Sequence, residues 1–517
     1  MERGRLRRHR RGDLVKTHII KKILIANRGE IAVRVIRTCR EMGIRTVAVF
    51  SEADRTAMHV RLADEAYALK GNTAADTYLR QDLIIDIARK RGADAIHPGY
   101  GFLSENPDFA ERAESCGLNF IGPPASAIRA LGDKTAARTV AHQLKIPTVP
   151  GTKEAIADER EAATVAAQIG YPILIKAAAG GGGKGMRIVK AAGELVGSLR
   201  MAKSEAKSAF GDERVYIEKY VEQPRHVEIQ ILADGHGNAV FLGERECSIQ
   251  RRHQKVIEET PSPIVDEAMR TAMGEAAVRL VQAVGYRNAG TVEFLVDANK
   301  HYYFLEVNTR LQVEHPVTET VTGIDLVCEQ IRIAQGQRLP CTQEGIERRG
   351  HAIECRICAE DPEDQFFPST GTLTHYVPPQ GPKVRVDNGL REGDAVTMFY
   401  DPLMAKVITW GRDREEAISG MQRALAEFTV EGVRTTIPFC KFVLANEHFR
   451  KGTFDTRFVE TEFIAGKMHG SSEQRDLAAA IAAVLLSSGA RQKVSTETNH
   501  QQKGNSAWKK LRLESHH

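Results

Sequence analysis

The hydrophobic pattern near the start of the chain predicts a β-α-β unit. A short apolar strand is expected at Lys22–Ala26, and a tight loop follows at Asn27–Glu30. Apolar residues then recur with the helical period over Ile31–Met42, and a second apolar strand covers Arg45–Phe50. Because such a unit builds a parallel sheet, this opening predicts a doubly wound α/β domain.

The pattern changes further along the chain. Residues 146–221 read as a small insert that contains a run of glycines, and long antiparallel strands are expected from Arg225 to about Glu314 around one helix, Asp266–Val284. Residues from Gly350 to about Phe458 read as a mixed α/β unit. The chain is therefore expected to fold as several α/β domains.

The tail after residue 458 has a different character. Ser471 and Gln474 have the spacing of a helix capping box, and an apolar run at Leu477–Leu486 follows that is too short to span a bilayer. A polar linker leads to Ser506–Leu513, which contains one Trp and two Leu. This last segment is typical either of a docking peptide or of a tail that packs on its own domain.

Composition is typical of a soluble globular protein. The 517 residues are 42% hydrophobic and 27% charged, with a net charge of +5, which suits about three domains. Residues 1–13 hold six Arg against one Glu and one Asp, so most of the excess charge belongs to this arm. The arm could bind RNA or target an organelle, but a disordered extension is favoured, and no nucleic-acid or membrane partner is expected.

The cysteines indicate a reducing compartment. Eight Cys without an apolar signal segment are typical of free thiols, and a cytoplasmic location is expected. Cys355 and Cys358 have a spacing found in zinc sites, but no second pair accompanies them. Positions three apart in a strand also face opposite sides, which disfavours a shared metal.

The glycine run "KAAAGGGGKGMRIVK" lies between two strand-like segments, Tyr171–Lys176 and Met186–Lys190. It does not match a Walker A loop, because Gly185 stands where Ser or Thr would bind magnesium. A strand–glycine–strand order instead predicts a hairpin flap whose backbone amides approach phosphates. Lys176 and Lys134 are the candidate phosphate-binding cations.

Polar residues of one parity mark a second candidate site. If the segment stays extended, one face carries Glu306, Asn308, Arg310, Gln312 and Glu314. A solvent-facing strand would also alternate, but carboxylate and amide oxygens suit Mg²⁺ held jointly with nucleotide phosphates. Glu293, Glu306 and Asn308 are the predicted ligands, with Arg310 and Glu314 beyond them for an anionic substrate and its base. The basic segment Cys247–Glu259 is a further candidate anion site, so phosphoryl transfer to an anion is predicted.

These motifs resemble those of biotin carboxylases of the ATP-grasp superfamily. The resemblance covers about Lys21 to Phe458 and is carried by "ANRGEIAVRVIR", "HPGYGFLSEN", "GGGGKGMRIV", "RHVEIQILAD", "RRHQKVIEE", "EVNTRLQVEHPVTE" and "ECRICAEDP". It implies an α/β protein with a basic extension (1–20), an N-terminal Rossmann-like, pre-ATP-grasp domain (21–130), an ATP-grasp domain (131–335) with a small mobile lid (about 146–221), a mixed α/β C-terminal domain (350–458) and a tail (459–517).

The resemblance also implies roles for individual residues. ATP would contact Lys134, Lys176, Gly182, Gly183, Glu218, Lys219, Tyr220, Val221, His226 and His253, together with the metal ligands Glu293 and Glu306. Mg²⁺ or Mn²⁺ would be held by Glu293, Glu306 and Asn308. Bicarbonate and biotin would be bound by Lys255, Arg310, Gln312, Val313 and Arg356. Glu314 would be the general base that deprotonates bicarbonate, and Arg356 would stabilise the biotin enolate.

The implied reaction is ATP-dependent carboxylation of biotin through carboxyphosphate. Because no Met-Lys-Met carrier motif occurs, biotin is expected on a separate carrier protein, with a carboxyltransferase as a further partner, and the resemblance implies a homodimer. The expected holoenzyme is an acetyl-CoA or propionyl-CoA carboxylase, and the biotin carboxylase subunit of a split pyruvate carboxylase is the alternative. The residues are also compatible with an ATP-grasp ligase that joins a carboxylate to an amine, or with an inactive nucleotide-binding scaffold.

Overall fold

Residues 19–152, 155–177 and 186–463 are described by the structure, which is a computed structural model. The predictions for the basic arm, for Gly182 and Gly183 and for the tail beyond residue 463 concern residues outside these ranges.

The amino-terminal part forms a parallel sheet, as its hydrophobic pattern predicts. Its strands are β1 (Lys22–Ile25), β2 (Arg45–Phe50), β3 (Glu65–Ala68), β4 (Ala95–His97) and β5 (Asn119–Phe120), in the order β3-β2-β1-β4-β5. Its helices are α1 (Gly29–Glu41), α2 (Met58–Leu62), α3 (Gln81–Lys90), α4 (Pro107–Ser115), α5 (Ala125–Gly132) and α6 (Lys134–Gln143). Gly29 has a φ of 64°, which allows the tight turn between β1 and α1.

A small lid follows, with its own apolar core. Helices α7 (Glu159–Ile169) and α8 (Leu195–Phe210) accompany strands β6 (Ile173–Ala177), β7 (Arg187–Val189) and β8 (Val215–Lys219), in the order β7-β6-β8. Strands β6 and β7 pair antiparallel, with Ile173 opposite Val189. The strands predicted on either side of the glycine run are therefore confirmed as a hairpin.

The central sheet is long and antiparallel. Its first strands are β9 (Arg225–Ala233), β10 (Ala239–Arg251), β11 (Gln254–Thr260), β12 (Asn288–Val296), β13 (Tyr302–Asn308) and β14 (His351–Cys358), and its helices are α9 (Glu267–Ala283), α10 (His315–Thr322) and α11 (Leu326–Ala334). Helix α9 matches the predicted helix, and Asp266 caps it by accepting a hydrogen bond from the backbone amide of Met269.

The carboxy-terminal strands are β15 (Glu360–Asp361), β16 (Phe367–Pro368), β17 (Gly371–Thr372), β18 (His375–Val377), β19 (Val384–Asn388), β20 (Ala395–Val396), β21 (Leu403–Gly411) and β22 (Thr429–Glu431), with helices α12 (Arg414–Glu427), α13 (Ile437–Ala445), α14 (Glu447–Lys451) and α15 (Phe458–Glu462). Of these strands, β19 and β21 extend the central sheet, and the others form three two-stranded sheets, β15-β16, β17-β20 and β18-β22. The sheet order β13-β12-β9-β10-β11-β14-β21-β19 places β14 directly beside β11, with β21 next to it. None of the helices in the described ranges has the length and apolarity needed to cross a bilayer.

The expectation that the polar segment after Glu306 stays extended is wrong. Strand β13 ends at Asn308, the chain turns, and α10 begins at His315. Pro316 lies in the first turn of α10, where its fixed φ and missing amide proton favour helix initiation. Arg310, Gln312 and Glu314 therefore reach the site from an irregular segment.

The basic segment Cys247–Glu259 is also not a loop. Strand β10 runs through it to Arg251, the chain reverses at Arg252 and His253, which have φ values of 46° and 69°, and β11 begins at Gln254. Its cations therefore point to different places. His253 is exposed at the turn, whereas Lys255 is buried on β11.

Candidate functional site

The centre of the candidate site is the buried ammonium group of Lys255. Its Nζ donates hydrogen bonds to three carboxylates, Glu228 Oε2 at 2.6 Å, Glu293 Oε1 at 2.9 Å and Glu314 Oε1 at 2.7 Å. Burial lowers the pKa of Lys255, but the surrounding negative charges outweigh it and raise the pKa well above its usual value. Lys255 is therefore charged, and its three N–H groups are all engaged.

Glu314 lies between two cations and is fully buried. Besides the bond from Lys255, it accepts one from Arg356 Nη2 at 2.9 Å. Burial raises the pKa of Glu314, but Lys255, Arg356 and Arg245 oppose it and hold the pKa well below its usual range. The predicted base is thus ionised and positioned by two charge-assisted hydrogen bonds.

Arg356 links Glu314 to Glu258, and a further carboxyl group, that of Glu354, lies opposite Glu258. Arg356 donates from Nε to Glu258 Oε1 at 2.6 Å. Burial and the charge of Glu314 raise the pKa of Glu258 to about 7, against the lowering effect of Arg356. Glu354 lies opposite Glu258 in the sheet, and its oxygens have no hydrogen-bond partner in the described part of the chain. Burial raises the pKa of Glu354 well above its usual value, so this group is neutral.

Sequence reasoning missed Glu228 and its partner Arg245. Arg245 is fully buried and donates to Glu228 Oε1 at 2.5 Å and to Gln230 Oε1 at 2.6 Å. The signal was available, because His226, Glu228 and Gln230 alternate with apolar residues in β9 and so share one face of it. Glu258 was missed in the same way, although it lies on β11 with Lys255.

The three predicted metal ligands share one face at the edge of the sheet. Glu293 on β12 lies directly opposite Glu306 on β13, and Asn308 is two residues further along β13. Glu293 Oε1 accepts a hydrogen bond from Asn308 Nδ2 at 2.9 Å. This set of two carboxylates and one amide oxygen fits a hard cation such as Mg²⁺. Two other groups among the described residues bring three ligand atoms close together, namely His226, Glu228 and Glu293, and Glu228, Cys247 and Glu314.

The candidate nucleotide residues lie between the lid and the central sheet. Lys176 donates to Glu218 Oε2 at 2.6 Å, and Arg138 pairs with the other oxygen of Glu218. Burial raises the pKa of Glu218, but Lys176 and Arg138 outweigh it, and the pKa is lowered. Lys134 is exposed and its Nζ lies 2.7 Å from Glu306 Oε2.

The residues directly after Glu218 bond to backbone carbonyl groups of the lid. Lys219 Nζ is engaged with the carbonyl oxygens of Gly170 and Tyr171, at 3.0 Å each. Tyr220 donates its backbone amide to Pro172 O. The imidazole of His226 lies 2.9 Å from Glu293 Oε2, on the metal side of the site.

Arg310 approaches the site from the opposite side. Its Nε donates to Glu105 Oε2 at 2.9 Å, and Nη1 donates to Gln312 Oε1 at 3.1 Å. Gln312 in turn donates to Glu293 Oε1 at 3.1 Å. Glu105, in the amino-terminal part, was not predicted, because it is more than two hundred positions from Arg310 in the sequence.

A cavity of about 380 Å³ opens beside these groups. Its lining includes Arg310, Val313 and Arg356, together with Tyr100 and Phe102 of the amino-terminal part. Two of the predicted substrate cations, Arg310 and Arg356, therefore border one cavity whose lining also contains aromatic side chains. Such a site suits a ligand that has both an apolar body and a polar group.

Three family models match this chain in succession. Residues 19–128 match the biotin carboxylase N-terminal domain, residues 133–342 the ATP-binding domain of the carbamoyl-phosphate synthase L chain, and residues 354–461 the biotin carboxylase C-terminal domain. The three-domain α/β architecture that the sequence predicts is thereby confirmed.

Several curated proteins are similar over most of their length. Biotin carboxylase 1 of Bacillus subtilis is 54% identical over 449 residues, which are 87% of this chain and 100% of that protein. A pyruvate carboxylase subunit of Methanothermobacter thermautotrophicus is 54% identical over 442 residues, 86% of this chain and 90% of that protein. The propionyl-CoA carboxylase alpha chain of Ruegeria pomeroyi is 49% identical over 515 residues, 95% of this chain and 76% of that protein.

A solved structure agrees with these matches. The biotin carboxylase domain dimer of Hydrogenobacter thermophilus 2-oxoglutarate carboxylase, in complex with MgADP, ADP and bicarbonate, is 48% identical, with a TM-score of 0.80 over 86% of this chain and 98% of that chain. Sequence identity, coverage and fold all agree, and the chain belongs to the biotin carboxylase family.

Proposed function

We propose that this chain uses ATP and bicarbonate to carboxylate biotin carried on a separate protein. The observation that carries the proposal is the position of Glu314, which is ionised, buried and held by Lys255 and Arg356 beside the cavity. An anionic substrate that must lose a proton needs both a base and cations within reach of one another, and this arrangement supplies them.

Bicarbonate would bind among Lys255, Arg310 and Gln312. Arg310 and Lys255 supply positive charge, and the Gln312 amide and the backbone at Val313 supply neutral hydrogen-bonding groups. Glu314 would remove the bicarbonate proton, so that its oxygen attacks the γ-phosphate of ATP. ADP would leave, and the carboxyphosphate formed would break down to CO₂ and phosphate. The phosphate would take the proton from the ureido nitrogen of biotin, and this nitrogen would then bond to CO₂.

Arg356 would stabilise the negative charge on the biotin ureido oxygen. It borders the cavity and retains a carboxylate partner on each side, Glu258 and Glu314, so its guanidinium is held in a fixed orientation. Fixed charges of this kind stabilise a developing oxyanion without reorganisation cost.

Lys134, Lys176, His226 and His253 would bind ATP, with the backbone of residues 218–221 near the adenine. Mg²⁺ or Mn²⁺ would be held by Glu293, Glu306 and Asn308, and would supply charge neutralisation between the phosphate oxygens. Lys176 and Lys134 pair with Glu218 and Glu306, respectively. Gly182 and Gly183 remain predicted phosphate contacts in the flap.

The proposed holoenzyme is an acetyl-CoA or propionyl-CoA carboxylase that includes a biotin carrier protein and a carboxyltransferase, with this chain as a homodimer in the cytoplasm. The longer match to a propionyl-CoA carboxylase alpha chain supports an acyl-CoA substrate. The pyruvate carboxylase subunit, at 54% identity, supports the alternative, a split pyruvate carboxylase. Reconstitution with each candidate carrier and transferase, followed by assay with acetyl-CoA, propionyl-CoA and pyruvate, separates these holoenzymes.

The half-reaction itself is tested with the purified chain, ATP, Mg²⁺ and free biotin. We expect ADP release that depends on bicarbonate, is stimulated by biotin and yields carboxybiotin detectable by mass spectrometry. ADP release that instead depends on an added carboxylate and amine would indicate another ATP-grasp ligase. Nucleotide binding without turnover would indicate a scaffold.

A further inference from the structure

Lys406 is a fully buried lysine that connects three parts of the chain. It lies on β21, and its Nζ donates to the backbone carbonyl of Val313 at 2.8 Å. The same ammonium lies 3.3 Å from Glu30 Oε2, in the first turn of α1, and 3.9 Å from Asp387 Oδ2 on β19. Burying an ammonium is costly unless it is paired, so its contacts indicate a specific task.

The contact at Val313 bears directly on the candidate base. The carbonyl of Val313 and the amide of Glu314 belong to one planar peptide unit, so fixing the carbonyl also fixes the positions of the amide nitrogen and the Cα atom from which the Glu314 side chain extends. No strand ladder does this work, because β13 ends at Asn308 and α10 begins at His315. Lys406 therefore supplies, from another domain, a hydrogen bond to the backbone of the irregular segment, which is also held by side-chain contacts of Arg310, Gln312 and Glu314.

Glu30 completes the arrangement. Its side chain is buried, it borders the same cavity as Arg310, Val313 and Arg356, and neither of its oxygens has a close hydrogen bond among the described residues. The nearest cation is Lys406, and the electrostatic attraction of Glu30 helps to hold its ammonium group near the Val313 carbonyl. Glu30 thus balances the buried charge without replacing the Val313 contact.

We infer that Lys406 is a positioning residue for Glu314, acting through the Val313 carbonyl, with Glu30 as its counter-charge. The inference rests on the proposed role of Glu314 as the base. According to this inference, β21 and α1 take part in bicarbonate activation, although neither element contributes a residue to the proposed bicarbonate site among Lys255, Arg310 and Gln312.

The test uses Lys406→Met, which keeps the aliphatic stem and removes the donor. We expect kcat for bicarbonate-dependent ATP turnover to fall about 10–100-fold with the KM for ATP within about threefold, because small misplacements at a reacting centre cost about 10²-fold. Lys22→Met is the matched control, since Lys22 also bonds a carboxylate, Glu65 Oε1 at 2.9 Å, and a backbone carbonyl, Arg91 O at 2.8 Å, away from the site. It should retain turnover within about threefold.

A second variant separates positioning from folding. Lys406→Met removes the nearest cation from buried Glu30, so the Glu30→Gln/Lys406→Met double variant should regain thermal stability while turnover stays low. If the double variant turns over ATP within about threefold of the parent, Lys406 does not position the base. An equal loss of turnover and of ATP affinity in a stably folded double variant would also overturn the inference, since that pattern indicates a general structural role.

Hydrogen exchange tests the inference without any turnover. Backbone amides in a peptide covering residues 309–317 should exchange at least about tenfold faster in the double variant than in the parent. Unchanged exchange there would overturn the inference. Absence of bicarbonate-dependent turnover in the unmodified chain would instead overturn the proposed function, so the two failures are distinguishable.

Discussion

Glu314→Gln is the substitution that most directly tests the proposed mechanism. Gln has nearly the same shape as Glu but does not accept a proton at neutral pH. Loss of a general base typically lowers turnover by about 10²–10⁴-fold. We therefore expect bicarbonate-dependent ATP turnover to fall by at least about 100-fold, with ATP affinity unchanged.

The variant is expected to fold, because the cluster contains a carboxyl group that can replace the lost charge. Glu258 and Glu314 both bond to Arg356, and the negative charge of Glu314 repels that of ionised Glu258, which helps to raise the pKa of Glu258. Removing the charge of Glu314 removes this repulsion, and the pKa of Glu258, now about 7, moves toward its usual range. Glu258 then ionises and keeps Arg356 paired, which should limit the loss of unfolding free energy to about 2 kcal/mol.

The assay is ADP release with and without bicarbonate, beside nucleotide binding and urea denaturation of the same preparation. Glu329→Gln is the matched control, because Glu329 is also buried and paired with an arginine, Arg332, but lies on α11 outside the cluster. The control should retain turnover. Glu314→Gln turnover above one tenth of the parent rate would refute the base assignment.

Other perturbations test separate parts of the structure. If Lys176 binds phosphate as proposed, Lys176→Met removes one charge-assisted hydrogen bond worth about 1.5–3 kcal/mol and should weaken ATP binding about 10–100-fold in a fluorescence titration, with kcat at saturation nearly unchanged; unaltered affinity would contradict the assignment. Glu306→Gln should raise the Mg²⁺ concentration for half-maximal turnover at least about tenfold, and a superimposable Mg²⁺ titration would remove Glu306 from the metal ligands. Burial lowers the pKa of His59 to about 4 from 6.5. The unfolded state therefore takes up the proton first, and the contribution of neutral His59 to stability is present above pH 6.5 and lost as the pH falls toward 4. The free energy of unfolding of the parent should therefore fall by about 2.5 kcal/mol at about pH 4.5, and this fall should be absent in His59→Gln. If the urea midpoints of the parent and of His59→Gln depend equally on pH, His59 is not the cause of the acid destabilisation.

The sequence predicted those elements whose signal is local and periodic. The first β-α-β unit, helix α9 with its Asp266 cap and the strands on either side of the glycine run are all present where the hydrophobic pattern indicates them. In each of these segments, the spacing of the apolar residues and the residues at the turns favour the same local structure that the tertiary contacts stabilise. Prediction from sequence therefore worked best where no long-range contact overrides local preference.

The misses have a common cause. Parity places Glu306 and Asn308 on one face of β13, but the chain leaves the strand after Asn308. Arg310, Gln312 and Glu314 therefore reach the site through a turn and a helix start, which strand alternation does not predict. Glu105 contacts Arg310, and Lys406 contacts Val313, although the partners in these pairs are 205 and 93 positions apart in the sequence. The periodicity of a single segment carries no information about such distant pairs. Sheet register, which places Glu258 opposite Glu354, is likewise set by strands distant in sequence.

The electrostatics of Lys255 and Glu314 also explain how the proposed base could be restrained until its substrate arrives. With both cations in contact, the pKa of Glu314 is well below its usual range, so Glu314 is ionised but a weak proton acceptor. All three N–H groups of Lys255 are occupied by carboxylates, so an anion binds this ammonium only by displacing one of them. Bound bicarbonate would then remove part of the positive charge that acts on Glu314 and add a negative charge nearby, and both changes raise the pKa of Glu314. The base would gain strength only when its substrate is present, which would limit ATP hydrolysis in the absence of bicarbonate.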